Sequence, residues 1–190
     1  MDKADIYNET FDQQDFTEIK FLKGDYEKCI FANCNFSSTN LSAINFIDCN
    51  FTDCNMSNAI FNDTAFRNAT FTGCKMLGLH FENCNKFLLE MNFENCFLNH
   101  SSFYQVKLKK SKFINCIMQE VDFTEADLSD SSFTQSDFSD AIFDQTILEG
   151  ADFRTALYFA INPEINRIKK AKFSADSLAG LLAHLDIKID

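Results

Sequence analysis

Large apolar residues recur at every fifth position through almost the whole chain. From Phe11 to Phe81 every fifth residue is large and apolar, and after a shift of two residues the series runs from Leu88 to Tyr158. An α-helix repeats its faces every ~3.6 residues and a strand every ~2, so neither element explains a sustained period of five. The chain must therefore be built from repeating five-residue units.

A second pattern shows how these units stack. The residue two positions before each large one is usually Cys, Ala, Ser or Thr, and residues two apart in an extended segment point to the same face. One such unit cannot bury its inward face alone, so many must stack into one core. Like residues align when the chain is read every twenty residues, which predicts one coil per twenty residues. One column is entirely phenylalanine: Phe11, Phe31, Phe51, Phe71, Phe93, Phe113, Phe133 and Phe153.

The shift of two residues is best placed between Cys84 and Leu88, which leaves Phe87 off the pattern. We interpret residues 85–91 as a small bulge in a continuous stack, and not as a domain boundary.

The triplets Ala126-Asp127-Leu128 and Cys34-Asn35-Phe36 show the recurring motif most clearly. This motif resembles that of the pentapeptide-repeat proteins, and the resemblance covers residues 9 to about 160. It implies an all-β solenoid, a right-handed quadrilateral parallel β-helix with one pentapeptide on each side. We therefore expect a lead-in over residues 1–8, the β-helix over 9–160, and a capping and dimerisation segment over 161–190.

The cysteines follow the same pattern. All eight occupy the small inward position: Cys29, Cys34, Cys49, Cys54, Cys74, Cys84, Cys96 and Cys116. A redox or metal ladder is one interpretation, and a set of small buried apolar residues is the other. The sequence favours the second, because it has no CxxC pair and His80, His100 and His184 lie at no ligand spacing. We expect neither a metal nor a cofactor.

Composition and motifs exclude several classes of function. A nucleophile elbow, a P-loop, a dinucleotide fingerprint and an HExxH motif are all missing, so we do not expect an enzyme. The net charge of −11 disfavours direct binding to nucleic acid. The sequence shows neither a membrane-spanning run nor a secretory signal, which predicts a cytoplasmic protein with reduced cysteines.

The C-terminal segment carries a different signal. Ser174 is a predicted helix cap, an apolar stripe at helical spacing follows, and Ile187 and Ile189 could form a last short strand. A simple cap for the open end of the solenoid is one reading. The other adds a dimer interface, formed by Phe173, Leu178, Leu181, Leu182, Leu185 and Ile187. Residues 162–168 also resemble the C-termini of the Qnr, MfpA and microcin B17-immunity type of pentapeptide protein, which implies a head-to-head homodimer.

Negative charge is concentrated in residues 113–153, which hold ten acids and no lysine or arginine. We call these ten residues the acidic band: Glu120, Asp122, Glu125, Asp127, Asp130, Asp137, Asp140, Asp144, Glu149 and Asp152. A solubilising surface is the plainest explanation. Earlier coils, however, often place neutral Asn before the large residue, as at Asn35 and Asn55, so the repeat does not require the charge. Such a band attracts a basic groove by long-range steering.

The resemblance implies a function for this band. It suggests a DNA-mimicking interaction protein that binds DNA gyrase or topoisomerase IV and protects the enzyme from quinolones or peptide toxins. The alternative is a pentapeptide-repeat scaffold or structural protein without a topoisomerase partner, because fold alone does not fix function.

Overall fold

A computed structural model of the protein describes residues 4–185 and 187–188. The chain winds into a four-sided parallel β-solenoid, which confirms the predicted β-helix of pentapeptide repeats. We identify each of the four faces by one large residue that it sends inward near the start of the chain. These residues are Phe11 (face 1), Phe16 (face 2), Phe21 (face 3) and Tyr26 (face 4).

Two faces carry regular sheets, which extend as far as residue 114. Face 4 has four strands in the order β1 (Ala4–Tyr7), β3 (Gly24–Glu27), β5 (Asn45–Ile47) and β7 (Ala65–Arg67). Face 1 has six, namely β2 (Thr10–Asp12), β4 (Ile30–Ala32), β6 (Asn50–Thr52), β8 (Ala69–Thr72), β9 (Met91–Glu94) and β10 (Phe113–Ile114). Elsewhere, isolated parallel bridges join one coil to the next, such as that between Asn35 and Asn55.

The corners of the solenoid depend on residues that tolerate a left-handed backbone. The second residue after most large ones has a positive φ, as in Asn33 at 54° and Asp130 at 58°. Asn, Asp and Gly adopt this conformation at little cost, whereas β-branched residues resist it. The polar residues of the repeat therefore form the turns as well as the surface.

The small inward residues make one recurring hydrogen bond. Most of the cysteines, serines and threonines in this slot donate to the backbone carbonyl of the large residue one coil earlier, as the Cys54 Sγ does to Phe31 O at 3.3 Å and the Thr64 Oγ1 does to Leu41 O at 2.8 Å. Cys, Ser and Thr are thus interchangeable in this slot because all three are small and offer one donor.

Phenylalanine rings fill the centre of the solenoid. Along face 1, Phe71 stacks between Phe51 at 4.9 Å and Phe93 at 5.3 Å, measured between ring centroids. Phe66, from the next face, meets Phe71 edge-on at 5.6 Å. Stacked and edge-to-face pairs are the favoured aromatic geometries, so the repeat builds a continuous aromatic core.

Two residues of the predicted series do not lie in the core. Leu88 has a φ of 54° and is 66% exposed, and Leu89 packs against the core instead. Tyr158 has a φ of 57° and is 72% exposed, while the next residue, Phe159, is buried. In both places the residue that enters the core lies one position later than the five-residue count predicts.

The solenoid also extends beyond the predicted limits. Residues 4–7, assigned to a lead-in, form β1 and pair with β3. At the other end, Arg167 pairs with Ile147 and Lys172 pairs with Asp152, beyond the predicted end at residue 160. Phe173 then stacks on Phe153 at 5.5 Å, which adds one more ring to face 1.

A short cap closes the C-terminal end. Helix α1 (Ala179–Leu182) lies between two 3₁₀ turns, Ala175–Ser177 and Ala183–Leu185. Ser174 does stand at the predicted cap position, but its side chain makes no capping hydrogen bond to the turn. Gly180 approaches the chain so closely that a Cβ there would lie 2.3 Å from Phe159 O, so only glycine fits. Ile189 lies outside the described residues.

Candidate functional site

The structure distributes the acidic band over all four faces. Three of its members lie on each of faces 2, 3 and 4, and Asp152 lies on face 1. Face 2 carries Glu120, Asp137 and Asp140; face 3 carries Asp122, Glu125 and Asp144; face 4 carries Asp127, Asp130 and Glu149. The acids therefore form a belt around the solenoid and not a single patch.

Four of these acids also hold the backbone. Asp122, Asp127, Asp137 and Asp152 each stand just before a large residue and accept a hydrogen bond from the backbone N–H two positions later. Burial alone would raise the pKa of Asp137, but hydrogen bonds from Ser139 and Gln119 outweigh it and hold the pKa below its usual value. These acids thus contribute to stability as well as to surface charge.

Cations neutralise much of the charge on faces 4 and 1. Lys109 Nζ lies 3.0 Å from Asp127, Arg167 lies 2.8 Å from Glu149, and Arg154 lies 2.7 Å from Asp152. Further lysines of the neighbouring coils stand on the same two faces: Lys107, Lys110, Lys112, Lys169, Lys170 and Lys172. A basic partner would therefore find little net attraction there.

Faces 2 and 3 are different. Between residues 97 and 161 they carry six acids and neither lysine nor arginine. We call this surface the acidic edge: Glu120, Asp122, Glu125, Asp137, Asp140 and Asp144. Its contacts within the chain are weak or neutral, such as His100 at 3.3 Å from Glu120 and Gln105 at 2.8 Å from Glu125. The acidic edge thus holds most of the carboxylates of the acidic band that have no lysine or arginine beside them.

Large apolar residues interrupt the acidic edge. Phe97 and Ile142 are about half exposed, and each occupies an outward position that the repeat usually gives to a polar residue. Between residues 97 and 161, five large apolar residues are exposed on faces 2 and 3: Phe97, Tyr104, Ile142, Leu157 and Tyr158. Their exposure was not predicted from the sequence. Reading the outward positions for apolar residues would have found most of them.

The predicted dimer residues divide into two groups. Phe173 and Leu181 pack against the core of their own chain, whereas Leu178, Leu182, Leu185 and Ile187 are exposed. The exposed four form an apolar surface on the C-terminal cap, which we call the cap patch.

The bulge at 85–91 is an ordered projection. The Asn85 side chain accepts a hydrogen bond from the Phe87 N–H at 3.0 Å and donates one to Asp63 at 2.7 Å. Phe87 is 67% exposed, and the Arg67 guanidinium lies 5.6 Å from its ring centroid. The bulge stands apart from the acidic edge, at an earlier coil.

All eight cysteines are buried and none forms a disulfide. Burial raises the pKa of Cys34 to about 11 and that of Cys49 to about 12. Within the described part of the chain, no three His, Cys, Asp or Glu side chains are arranged to hold a metal ion. Over the same residues, no helix is long and apolar enough to cross a membrane.

Comparison with known proteins bears on the fold and the family. A family model described as a pentapeptide repeat region matches residues 24–103 and 78–181. No curated protein matches the sequence of the chain.

Solved structures share the fold at low sequence identity. HetL, a pentapeptide repeat protein involved in heterocyst differentiation regulation from the cyanobacterium Nostoc sp. strain PCC 7120, has a TM-score of 0.70 and 15% identity, covering 89% of this chain and 86% of its own. A trypsin-treated form of QnrB1, a plasmid-mediated fluoroquinolone resistance protein, has a TM-score of 0.63 and 18% identity, covering 97% of both chains. At these identities the likeness establishes the fold alone.

Proposed function

Because the chain belongs to the pentapeptide-repeat family, we propose that it is a DNA-mimicking protein that binds a type II topoisomerase. The partner is DNA gyrase or topoisomerase IV, and binding protects it from quinolones or gyrase-targeting toxins. In this proposal the protein acts in the cytoplasm as a binding partner of the topoisomerase and performs no catalysis of its own.

One observation carries this proposal: the acidic edge is free of lysine and arginine over several consecutive coils. Hydrogen bonds along the solenoid hold neighbouring coils in register, as between the Glu120 N–H and Ser139 O at 3.0 Å. The carboxylates of Glu120 and Asp140 therefore stand at matching corners of successive coils, about 4.8 Å apart along the axis. A rigid array of negative charge suits a groove that normally holds DNA phosphates.

The apolar residues on the same two faces favour a protein partner. Exposed carboxylates alone are also explained by solubility. Exposed aromatic residues such as Phe97 and Tyr104 beside them are typical of protein interfaces, which are enriched in Tyr and Phe. In our proposal the carboxylates steer association, and the apolar residues hold the complex once it has formed.

We further propose that the protein is a homodimer joined through the cap patch. Four large apolar side chains exposed on a short cap are more than closing one coil requires. A head-to-head dimer would cover them and extend the solenoid to twice its length, with one acidic edge on each side of the centre.

A scaffold without a topoisomerase partner is the second candidate. The observation in its favour is that HetL, described as a differentiation regulator, resembles this chain in fold at least as well as QnrB1 does. Binding to a topoisomerase distinguishes the two candidates, since the scaffold requires none.

The test compares two triple variants with equal changes in net charge. The first neutralises the acidic edge with Glu120→Gln, Asp140→Asn and Asp144→Asn. The control neutralises Asp130→Asn, Glu149→Gln and Asp152→Asn, which lie on faces 4 and 1. Association with immobilised gyrase is measured at low and at physiological salt.

We expect the acidic-edge variant to associate about tenfold more slowly at low salt and the control to stay within about threefold of the parent. The difference should shrink as salt rises, because exposed charges are screened beyond about 8 Å at physiological ionic strength. Equal losses in both variants would reject the acidic edge as the docking surface. Failure of the parent to bind gyrase or topoisomerase IV would reject the function itself.

A further inference from the structure

One face of the first coil does not follow the solenoid. On face 2, the first two coils are joined by hydrogen bonds, from the Asn35 N–H to Gln14 O at 2.9 Å and from the Phe16 N–H to Asn35 O at 2.8 Å. On face 3, the second and third coils are joined in the same way, with the Ile60 N–H on Thr39 O at 3.0 Å. Between the first and second coils of face 3, over the described residues, the equivalent hydrogen bonds are missing.

The cause lies in the turn that follows Asp15. Asp15 O accepts hydrogen bonds from the Glu18 and Ile19 N–H groups at 3.3 and 3.1 Å, and its side chain accepts two from Thr17. This turn leads the chain away from the second coil. The Tyr26 hydroxyl then holds the displaced segment by donating to Leu22 O at 2.8 Å. The opening is therefore built into the fold.

The displaced segment leaves a groove with an open backbone edge. The groove lies between residues 17–23 and 39–43 and encloses about 850 Å³. Along one wall, the Asn40 N–H and C=O have no hydrogen-bond partner among the described residues. The Asn40 side chain accepts a hydrogen bond from the Ser42 N–H at 3.0 Å. Ile19 and Leu22, both about half exposed, stand on the other wall.

We propose that this groove binds one extended, acid-bearing peptide segment of a partner protein, which adds to the solenoid as the missing strand on Asn40. An extended segment would accept a hydrogen bond from the Asn40 N–H and donate one to its C=O, as in other cases of strand addition. Apolar side chains of the segment would cover Ile19 and Leu22. Lys20 and Lys23 line the groove against a single acid, Glu18, so its charge favours a carboxylate on the ligand.

The groove volume of about 850 Å³ lies within the range of about 300–1,000 Å³ that is usual for ligand pockets. The groove therefore has room for a few side chains of a bound segment. The site lies at the N-terminal end of the solenoid, away from the acidic edge and the cap patch. Binding here is therefore independent of the proposed topoisomerase function, and either can fail without the other.

The probes are two pools of acetylated hexapeptides with Val, Ile, Leu and Thr at alternate positions, one pool ending in Asp and the other in Lys. Binding to the full chain is followed by titrating each pool against ¹⁵N-labelled protein and recording the backbone amide signals. We expect the Asp pool to shift the Asn40 amide and to slow its hydrogen exchange at least tenfold, while the Lys pool binds more weakly.

Two substitutions test the site itself. Asn40→Pro removes the free N–H without touching the bonds that Thr39 and Leu41 make to the third coil, and Asn40→Ala is its matched control. We expect the proline variant to bind the Asp pool at least tenfold more weakly than the alanine variant. Ile19→Glu, on the opposite wall, should weaken binding by a similar factor and does not depend on how the proline is tolerated.

Three results would overturn the proposal. The first is that neither pool shifts the Asn40 amide at millimolar concentration. The second is that Asn40→Pro and Ile19→Glu both bind as tightly as Asn40→Ala. The third is binding that arises only after residues 1–3 are deleted, which would assign the groove to the N-terminus of this chain.

Discussion

Replacing one phenylalanine of the aromatic core tests how the solenoid is stabilised. Phe71 is fully buried, stacks on a ring above and a ring below, and meets Phe66 edge-on. Phe→Ala at a buried site costs about 3–5 kcal/mol, and an aromatic pair adds about 0.5–1.5 kcal/mol beyond the buried area. With two stacking partners lost, we place Phe71→Ala at the upper end, about 4–5 kcal/mol.

The same reasoning predicts a gradient along the solenoid. Phe11 is only partly buried and stacks on a single ring, Phe31 at 4.9 Å, because it stands in the first coil. Phe11→Ala should therefore cost about half as much, roughly 2 kcal/mol. Phe87 is exposed on the bulge, and its replacement should cost less than about 1 kcal/mol.

Thermal unfolding followed by circular dichroism measures all three variants. For a chain of this size, 1 kcal/mol lowers the melting temperature by about 2–4 °C, so Phe71→Ala should lose about 8–20 °C. Urea titration provides an independent ranking. If Phe11→Ala and Phe71→Ala lower the stability equally, the number of stacked rings does not determine the cost of removing a phenylalanine. The proposal that stacking along face 1 stabilises the core would then be wrong.

Three further predictions concern the cap, the aspartates and the thiols. If the proposed dimer forms through the cap patch, Leu182→Glu with Leu185→Glu should give monomers in light scattering. Lys188→Glu, with the same change in net charge, should leave the dimer intact. A dimer that survives the double change would show that the cap patch only closes the solenoid. Because its folded pKa is lowered, Asp137 stabilises the protein above the ordinary carboxyl pKa, and this contribution is lost as pH falls through the folded value. Asp137→Asn should therefore flatten the fall in melting temperature between about pH 5 and 2; an unchanged slope would contradict this. The eight buried thiols should react slowly with a labelling reagent in the native protein and fast in urea, and fast native labelling would contradict inert packing.

The five-residue and twenty-residue periods predicted a stack of coils, because the inward residues of a solenoid recur at the period of its coils. The four-sided β-helix itself was implied by the resemblance to the pentapeptide-repeat proteins. The period did not predict which residue enters the core where the repeat is interrupted. Near residue 88 three consecutive large residues, Phe87, Leu88 and Leu89, compete for one inward slot, and only their three-dimensional packing selects Leu89. Tyr158 and Phe159 present the same ambiguity.

The acidic band could be predicted as a concentration of charge but not as a surface. Which carboxylates remain unneutralised depends on cations one coil away, such as Lys109 on Asp127 and Arg167 on Glu149. The twenty-residue register does predict that Glu120 and Asp140 fall on one corner, but it does not show which carboxylates have a cation beside them. The groove on face 3 could not be predicted from the sequence. Phe21 stands at its expected position and is buried, although the backbone around it makes no hydrogen bonds to the second coil on this face.

The central claim is that this solenoid occupies a DNA-binding surface of a type II topoisomerase, and a gyrase supercoiling assay tests it most directly. The protein is titrated into gyrase and relaxed plasmid, with and without a fluoroquinolone. We predict that supercoiling in the presence of the drug is restored at low protein concentration, that excess protein inhibits supercoiling by competing with DNA, and that the acidic-edge variant does neither. Supercoiling that is unaffected at every concentration, with and without the drug, would contradict the claim.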